Sequence, residues 1–168
     1  MIDLVFDKEK LTKLLKSFHT LTGMRIVIFD KNQEEVASWP EQDGYFCRLV
    51  QSSRMGKACC KSSNEAAFRH CENDDSLYTY HCHAGLIESM ISLKHENALI
   101  GYIMYGQISN EKMTIEQCKK FQQILSNSLL QKDEVNRAIE TILIKNDDEV
   151  LAASHILLVL GKYAIQEK

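Results

Sequence analysis

The chain has 168 residues, 45% of them hydrophobic and 26% charged, with a formal net charge of −3. That length predicts one domain able to bury a core of its own, and the slight acidity excludes the basic footprint of a nucleic-acid-binding surface. No apolar run reaches the ~20 residues of a membrane span, and the charged N-terminus MIDLVFDKEKL does not read as a secretory signal, so the six cysteines predict reduced thiols in a cytoplasmic protein.

Residues 4–21 predict a first helix: Leu4, Leu11, Leu14, Leu15, Phe18 and Leu21 repeat at helical spacing, Asp7 is a candidate N-cap and Gly23 a stop. MRIVIFD and EEVASW around the turn Asp30–Gln33 predict a β-hairpin, and Pro40 to Gly44 a loop. YFCRLVQSS is a short helix, Gly56 breaks the pattern, and KACCKSSNEAAFRHCEN is a second helix with Cys60, Asn64, Ala67 and Cys71 along one stripe. Three strands follow at 77–83, 86–94 and 98–107. A tight turn at His95-Glu96-Asn97 joins the last two, and Gly101 and Gly106 imply close backbone approach or a bulge. From Thr114 the chain turns helical. Thr114 and Gln117 form a capping-box pattern ahead of a stripe of Ile115, Cys118, Phe121, Ile124 and Leu125. A helix capped by Asp133 runs through Ile144, and a last one is capped by Asp147 or Asp148. In the last helix Val150, Leu157, Leu160 and Ala164 make a narrow seam near heptad spacing.

The order is helix, hairpin, helices, three-stranded meander, helices. The connections are too short for parallel crossovers. The expected fold is therefore α+β: a PAS-like or profilin-like antiparallel five-stranded sheet with an N-terminal helix, inserted helices and C-terminal helices. The densest chemistry lies in LYTYHCHAGLIESMISLK, residues 77–94. On a strand, Tyr78, Tyr80 and Cys82 share one face, and Thr79, His81 and His83 the other. Such a cluster is costly to bury without a partner, so one face is expected to look into a cavity.

FHTLTGMRIVIFD, FCRLV, Cys60-x-x-Ser63-Asn64 leading into AAF, YTYHCHAGL and IGYIMYGQI occur in the order found in PocR-type sensory domains, and the chain resembles that family over roughly residues 10–110. The resemblance implies a PAS-like module in bacterial signalling proteins that detects small hydrocarbon derivatives such as propanediols. Such modules are often fused to AraC-type helix-turn-helix regions or to kinase and cyclase outputs. It also maps the family's cysteine-rich positions onto Cys47, Cys60 and Cys82. Where the family often has Cys-x-x-Cys-Asp, this chain has Cys60-Lys61-Ser62-Ser63-Asn64, which removes a thiolate and a carboxylate from any metal site. On this view residues 1–112 form the sensing domain, and residues 113–168 pack on it and lead to an output domain.

Four chemistries compete for these residues. Cys47, Cys60, Cys82 and His83 suffice for a Cys3His zinc or iron site, but no Cys-x-x-Cys pair supports it. A Cys82 nucleophile would need a base, and strand neighbours His81 and His83 point to the other face; no other feature indicates an enzyme. A thiol near cations would serve as a redox sensor. Small-molecule sensing fits best: Cys47, Cys60, Tyr80, Cys82, His83, Met104 and Gln107 are the candidate ligand-binding residues, with Ile28, Leu86 and Met90 as further apolar lining. A propanediol of about five heavy atoms binds no tighter than roughly −7.5 kcal/mol, or a few micromolar. The apolar stretch HILLVLGKYAI either packs back on the sheet or pairs with its twin in a homodimer. The absence of a helix stop before Lys168 is the pattern of a connector continuing into a DNA-binding domain, through which alone the protein would meet DNA.

Overall fold

The computed structural model describes residues 8–113, 116–117, 120 and 131–166. Its elements are α1 (Lys8–Thr22), β1 (Arg25–Asp30), β2 (Glu35–Trp39), α2 (Tyr45–Gln51), α3 (Arg54–Asn73), β3 (Tyr78–His81), β4 (Ile87–His95), β5 (Ala98–Ser109), α4 (Lys132–Glu140), β6 (Leu143–Ile144) and α5 (Asp147–Gln166). The predicted Leu4, the Asp7 cap, Thr114 of the capping box and the stripe of Ile115, Cys118, Phe121, Ile124 and Leu125 lie outside the described residues.

The strand order is β2-β1-β5-β4-β3 with antiparallel neighbours, the arrangement of a PAS-like α+β fold. The punctuation of the chain accounts for much of it. Gly23 ends α1 with φ +73°, donating to the His19 carbonyl at 2.7 Å. Glu96 and Asn97 both take positive φ, which gives the β4–β5 turn the twist of a tight hairpin. Asp30 accepts from the amides of Asn32 and Glu34 and so fixes the β1–β2 turn.

Each sheet face has its own cover. Alternation sends Ile26, Ile28, Ile91, Ile103, Tyr105 and Ile108 to one side, where Leu11, Leu15 and Phe18 of α1 and Ala153 and Leu157 of α5 bury them. The other side presents Val27, Phe29, Met90, Tyr102 and Met104 to Ala67, Phe68 and Cys71 of α3. A smaller cluster joins Phe46, Leu49 and Val50 of α2 to Leu86 and to Val135 and Ala138 of α4. The α3 stripe of Cys60, Asn64, Ala67 and Cys71 thus faces inward, with Ala67 and Cys71 buried in the core.

Four local expectations are corrected. Gly56 does not break a helix but sits in the first turn of α3, where its amide donates to the N-cap Ser53 Oγ at 2.9 Å. A Cβ there would lie 1.9 Å from the Val50 carbonyl oxygen, so the glycine serves the close approach of α2 to α3. The helix expected to be capped by Asp133 has Gln131 at its N-cap and Asp133 inside its first turn; it ends at Glu140, and Leu143–Ile144 instead pairs in parallel with Ile108–Ser109 as a sixth strand. The last helix is capped by Asn146, not by Asp147 or Asp148: Asn146 Oδ1 accepts from the Glu149 amide, and Glu149 Oε2 accepts from the Asn146 amide. Within the predicted seam of that helix, Leu157 is fully buried against the sheet and Val150 and Leu160 pack on the same cluster, so these residues turn to their own core.

Candidate functional site

Two departures from regular β-structure build the site. The first is the end of β3 at His81. Cys82 to Gly85 form a tight turn, closed by Gly85 N–H to Cys82 O at 2.8 Å and by Cys82 N–H to Leu86 O at 2.8 Å. The turn breaks the alternation on which His83 was placed opposite Cys82, and both residues line the same cavity. Upstream the alternation holds: Tyr78 and Tyr80 stack with ring centroids 5.0 Å apart, while Thr79 bonds Ser89 on the other face at 2.7 Å.

The second is a bulge in β5. Ile87 pairs with Ile108 and Ser89 with Tyr105, so Gly106 and Gln107 together oppose Glu88. Gln107 carries the bulge at φ +63°, a sparsely populated region for a side-chain-bearing residue. The extra residue turns Gln107 away from the face of Tyr105 and into the cavity. Gly106 leaves room for the neighbour, because a Cβ there would lie 2.6 Å from Glu88 Cγ.

Between this stretch of sheet and helices α2 and α3 lies a cavity of about 520 Å³. Of the seven predicted binding residues, Cys47, Cys60, Cys82, His83, Met104 and Gln107 line it. Tyr80 stands beside it, its hydroxyl donating to Met104 Sδ at 3.6 Å and facing the Glu88 carboxyl. The proposed apolar lining fares differently. Ile28 points to the opposite face of the sheet, and Met90 and Leu86 are buried in the clusters against α3 and α2.

Among the lining residues that the sequence did not point to, Arg25 and Glu88 carry buried charge and Asp43 pairs with Arg25. Arg25 is 8% exposed and donates to Glu35 at 3.1 Å, to the carbonyls of Pro40 and Glu41, and ion-pairs with Asp43 at 3.3 Å. Asp43 in turn accepts from Gln107 Nε2 at 2.6 Å and Gln51 Nε2 at 3.1 Å. This network fastens the loop before α2 to β1 and β5. Glu88 is also 8% exposed, and its Oε2 is buried with no hydrogen-bond partner. Burial chiefly, and Asp43 in part, push its carboxyl up to about 7, while Tyr80 and Arg25 pull the other way. Its signal was legible: Leu86, Glu88 and Met90 share one period-2 face, and a carboxylate between two inward apolar residues marks a site rather than a surface.

The thiols show a uniform electrostatic state. Burial raises Cys60 to about 11 and Cys82 to about 12, Cys47 rises further for the same reason, and Glu88 adds to all three. They are protonated at neutral pH and weak nucleophiles. Cys60 Sγ lies 3.1 Å from His83 Nε2, a pairing the strand-alternation argument did not anticipate. His83 Nδ1 is buried without a partner, and burial holds the imidazole below its usual pKa. The alternative metal residues Cys47, Cys60, Cys82 and His83 share the cavity, but among the described residues no three His, Cys, Asp or Glu side chains converge on a common ion position. No helix among the described residues is long and apolar enough to cross a membrane.

The family model described as the sensory domain found in PocR matches residues 4–168, running through α4 and α5 beyond the stretch that carried the sequence resemblance. The regulatory protein PocR of Salmonella typhimurium strain LT2 is 24% identical over 102 residues, which cover 61% of this chain and 33% of that protein. The matched segment therefore spans about a third of the relative's length.

Proposed function

We propose, since the chain belongs to the family of the sensory domain found in PocR, that it is the ligand-sensing part of a cytoplasmic bacterial transcription regulator with an AraC-type DNA-binding output. Its ligand is a small polar organic molecule such as a short diol, held between β4–β5 and the inserted helices. One observation carries this reading: two residues that line the cavity each hold a buried side-chain polar atom, Glu88 Oε2 and His83 Nδ1, with no hydrogen-bond partner among the described residues. Buried polar atoms are seldom left unpaired. A hydroxyl-bearing guest supplies the kind of partner these atoms lack, with Gln107 and the Cys47, Cys60 and Cys82 thiols lining the same cavity. The protonated thiols argue for binding rather than turnover.

Transmission follows from β5, which serves both faces. Met104 and Gln107 look into the cavity, while the Tyr105 hydroxyl between them donates to Val150 O at 2.9 Å, lies 2.7 Å from Ser154 Oγ and accepts from Ser89 Oγ at 3.0 Å. Thr79 extends this chain to β3, the strand of Tyr80. A ligand that fits one setting of the β5 bulge better than another shifts the docking of α5 by its difference in affinity, and by no more than that. α5 also exposes Leu151, Ile156, Val159 and Tyr163, the residues through which we place a homodimer contact in the full regulator. They are not the seam that the heptad spacing suggested.

The test is a thermal-shift titration of the chain with short diols, alcohols and glycerol. A ligand at a hundred times its Kd adds about 2.7 kcal/mol, a rise in Tm of roughly 5–11 °C at this size. A flat response over the panel overturns the small-alcohol reading.

A further inference from the structure

The charges inside the cavity do not balance. Arg25 is the buried cation, and its donors are already committed to Glu35, Asp43 and the carbonyls of Pro40 and Glu41. The other basic lining residues, Lys57 and Lys61, are exposed, and Lys61 sits 3.9 Å from Glu65. Glu35 and Asp43 thus share one guanidinium, and another lining carboxylate, Glu88, is as buried as Arg25 and lacks a partner at Oε2 among the described residues. Folding has placed a carboxyl where burial and the nearby Asp43 both oppose its ionisation.

A neutral hydroxyl would answer one lone pair of that carboxyl and leave its charge uncompensated. A carboxylate guest would add to the excess. An ammonium offers three donors and the missing charge together. The second orphan has a different requirement. His83 Nε2 faces the Cys60 thiol, and Nδ1 is a donor or an acceptor according to the tautomer. A hydroxyl meets either case.

We infer that the ligand of this cavity carries an ammonium group docked on Glu88 and a hydroxyl docked on His83, which makes it a short amino alcohol. This rests on the reading of the cavity as the sensory site and narrows its ligand class; Glu88 is then the residue that sets specificity. Binding a cation stabilises ionised Glu88, so affinity rises with pH as that carboxyl gives up its proton. The groups facing Glu88 act in known directions: burial and Asp43 oppose its ionisation, Tyr80 and Arg25 favour it, and the Cys47, Cys60 and Cys82 thiols, protonated at neutral pH, add no charge. With its carboxyl near 7, affinity for an ammonium probe increases about tenfold between pH 6 and pH 8, whereas a diol is nearly indifferent.

Calorimetric titration of the chain at pH 6 and pH 8 tests this with three matched probe types: 2-aminoethanol and 3-amino-1-propanol, the diols of the same length, and the corresponding hydroxy acids. At pH 8 the amino alcohols should bind at least tenfold tighter than the diols, the hydroxy acids weakest of all, and E88Q should remove the preference for amino alcohols over the diols of the same length. The wild-type ranking stands without the variant, so a folding defect in E88Q leaves the test intact. Diols binding as tightly as amino alcohols would overturn the ammonium inference and leave the sensory reading standing. Saturable binding by none of the probes would overturn both.

Discussion

Replacing Tyr105 by phenylalanine removes one oxygen from the junction of β5 and α5. The ring, fully buried and 5.8 Å from Phe18, keeps its packing, so no cavity opens. The hydroxyl's contacts with Val150 O, Ser154 Oγ and Ser89 Oγ are lost. Each group left behind retains a partner: Ser154 Oγ still donates to Val150 O at 2.9 Å, and Ser89 Oγ still meets Thr79 at 2.7 Å. The cost is therefore that of lost bonds rather than of orphaned groups, about 1–2 kcal/mol, or a fall in Tm of about 2–8 °C at this size. The damage should also be local. Amide exchange across the first half of α5 should accelerate while that of α3, on the other face, does not, and a double-mutant cycle with Ser154→Ala should give a coupling of about 0.5 kcal/mol or more. Equal acceleration in α3 and α5, or an unchanged Tm, would refute Tyr105 as the tie between the sensing strand and the terminal helix.

Other perturbations test other parts of the argument. Glu88 is held up to about 7 against an ordinary 4.5, so the folded state binds the extra proton and stability falls as pH rises between those values. Glu88→Gln should accordingly be near neutral at pH 4.5 and stabilising by on the order of 3 kcal/mol at pH 8, read by urea denaturation at the two pH values; a constant difference would contradict the assignment. Gly56→Ala places a methyl against the Val50 carbonyl and should cost about 3 kcal/mol or more, and a variant of wild-type stability would show that α2 and α3 do not meet as described. Arg25→Met keeps much of the volume but strips Asp43 and Glu35 of their guanidinium, a loss of about 3 kcal/mol in denaturant titrations. That loss should persist in high salt because Arg25 is buried.

The sheet was legible because its signals are local. Period-2 runs, the Asp30 and Asn97 turns, and the glycines of IGYIMYGQI each state their own conformation, and Gly106 does mark a bulge. What escaped depends on distant neighbours. Gly56 looks like a helix breaker until Val50 is placed beside it, and Leu143–Ile144 is a strand only because Ile108–Ser109 lies alongside. The site divides the same way. The cysteines, His83 and Gln107 stood out by residue type, whereas the contact of His83 with Cys60 depends on the turn after His81. Glu88 was hidden by composition: a glutamate within IESMISLK passes for a solvent-facing residue unless its phase relative to Leu86 and Met90 is counted.

The two faces of the sheet draw their covers from different parts of the chain. α2 and α3, which roof the cavity, come from the single insertion between β2 and β3, while α1 and α5 on the far side come from the two ends. Substitutions within α2 and α3 can thus reshape what the cavity admits without touching Tyr105, Ser154 or the packing of α5. A chimera that exchanges that one segment between family members should carry its donor's chemical preference into the recipient's unchanged output.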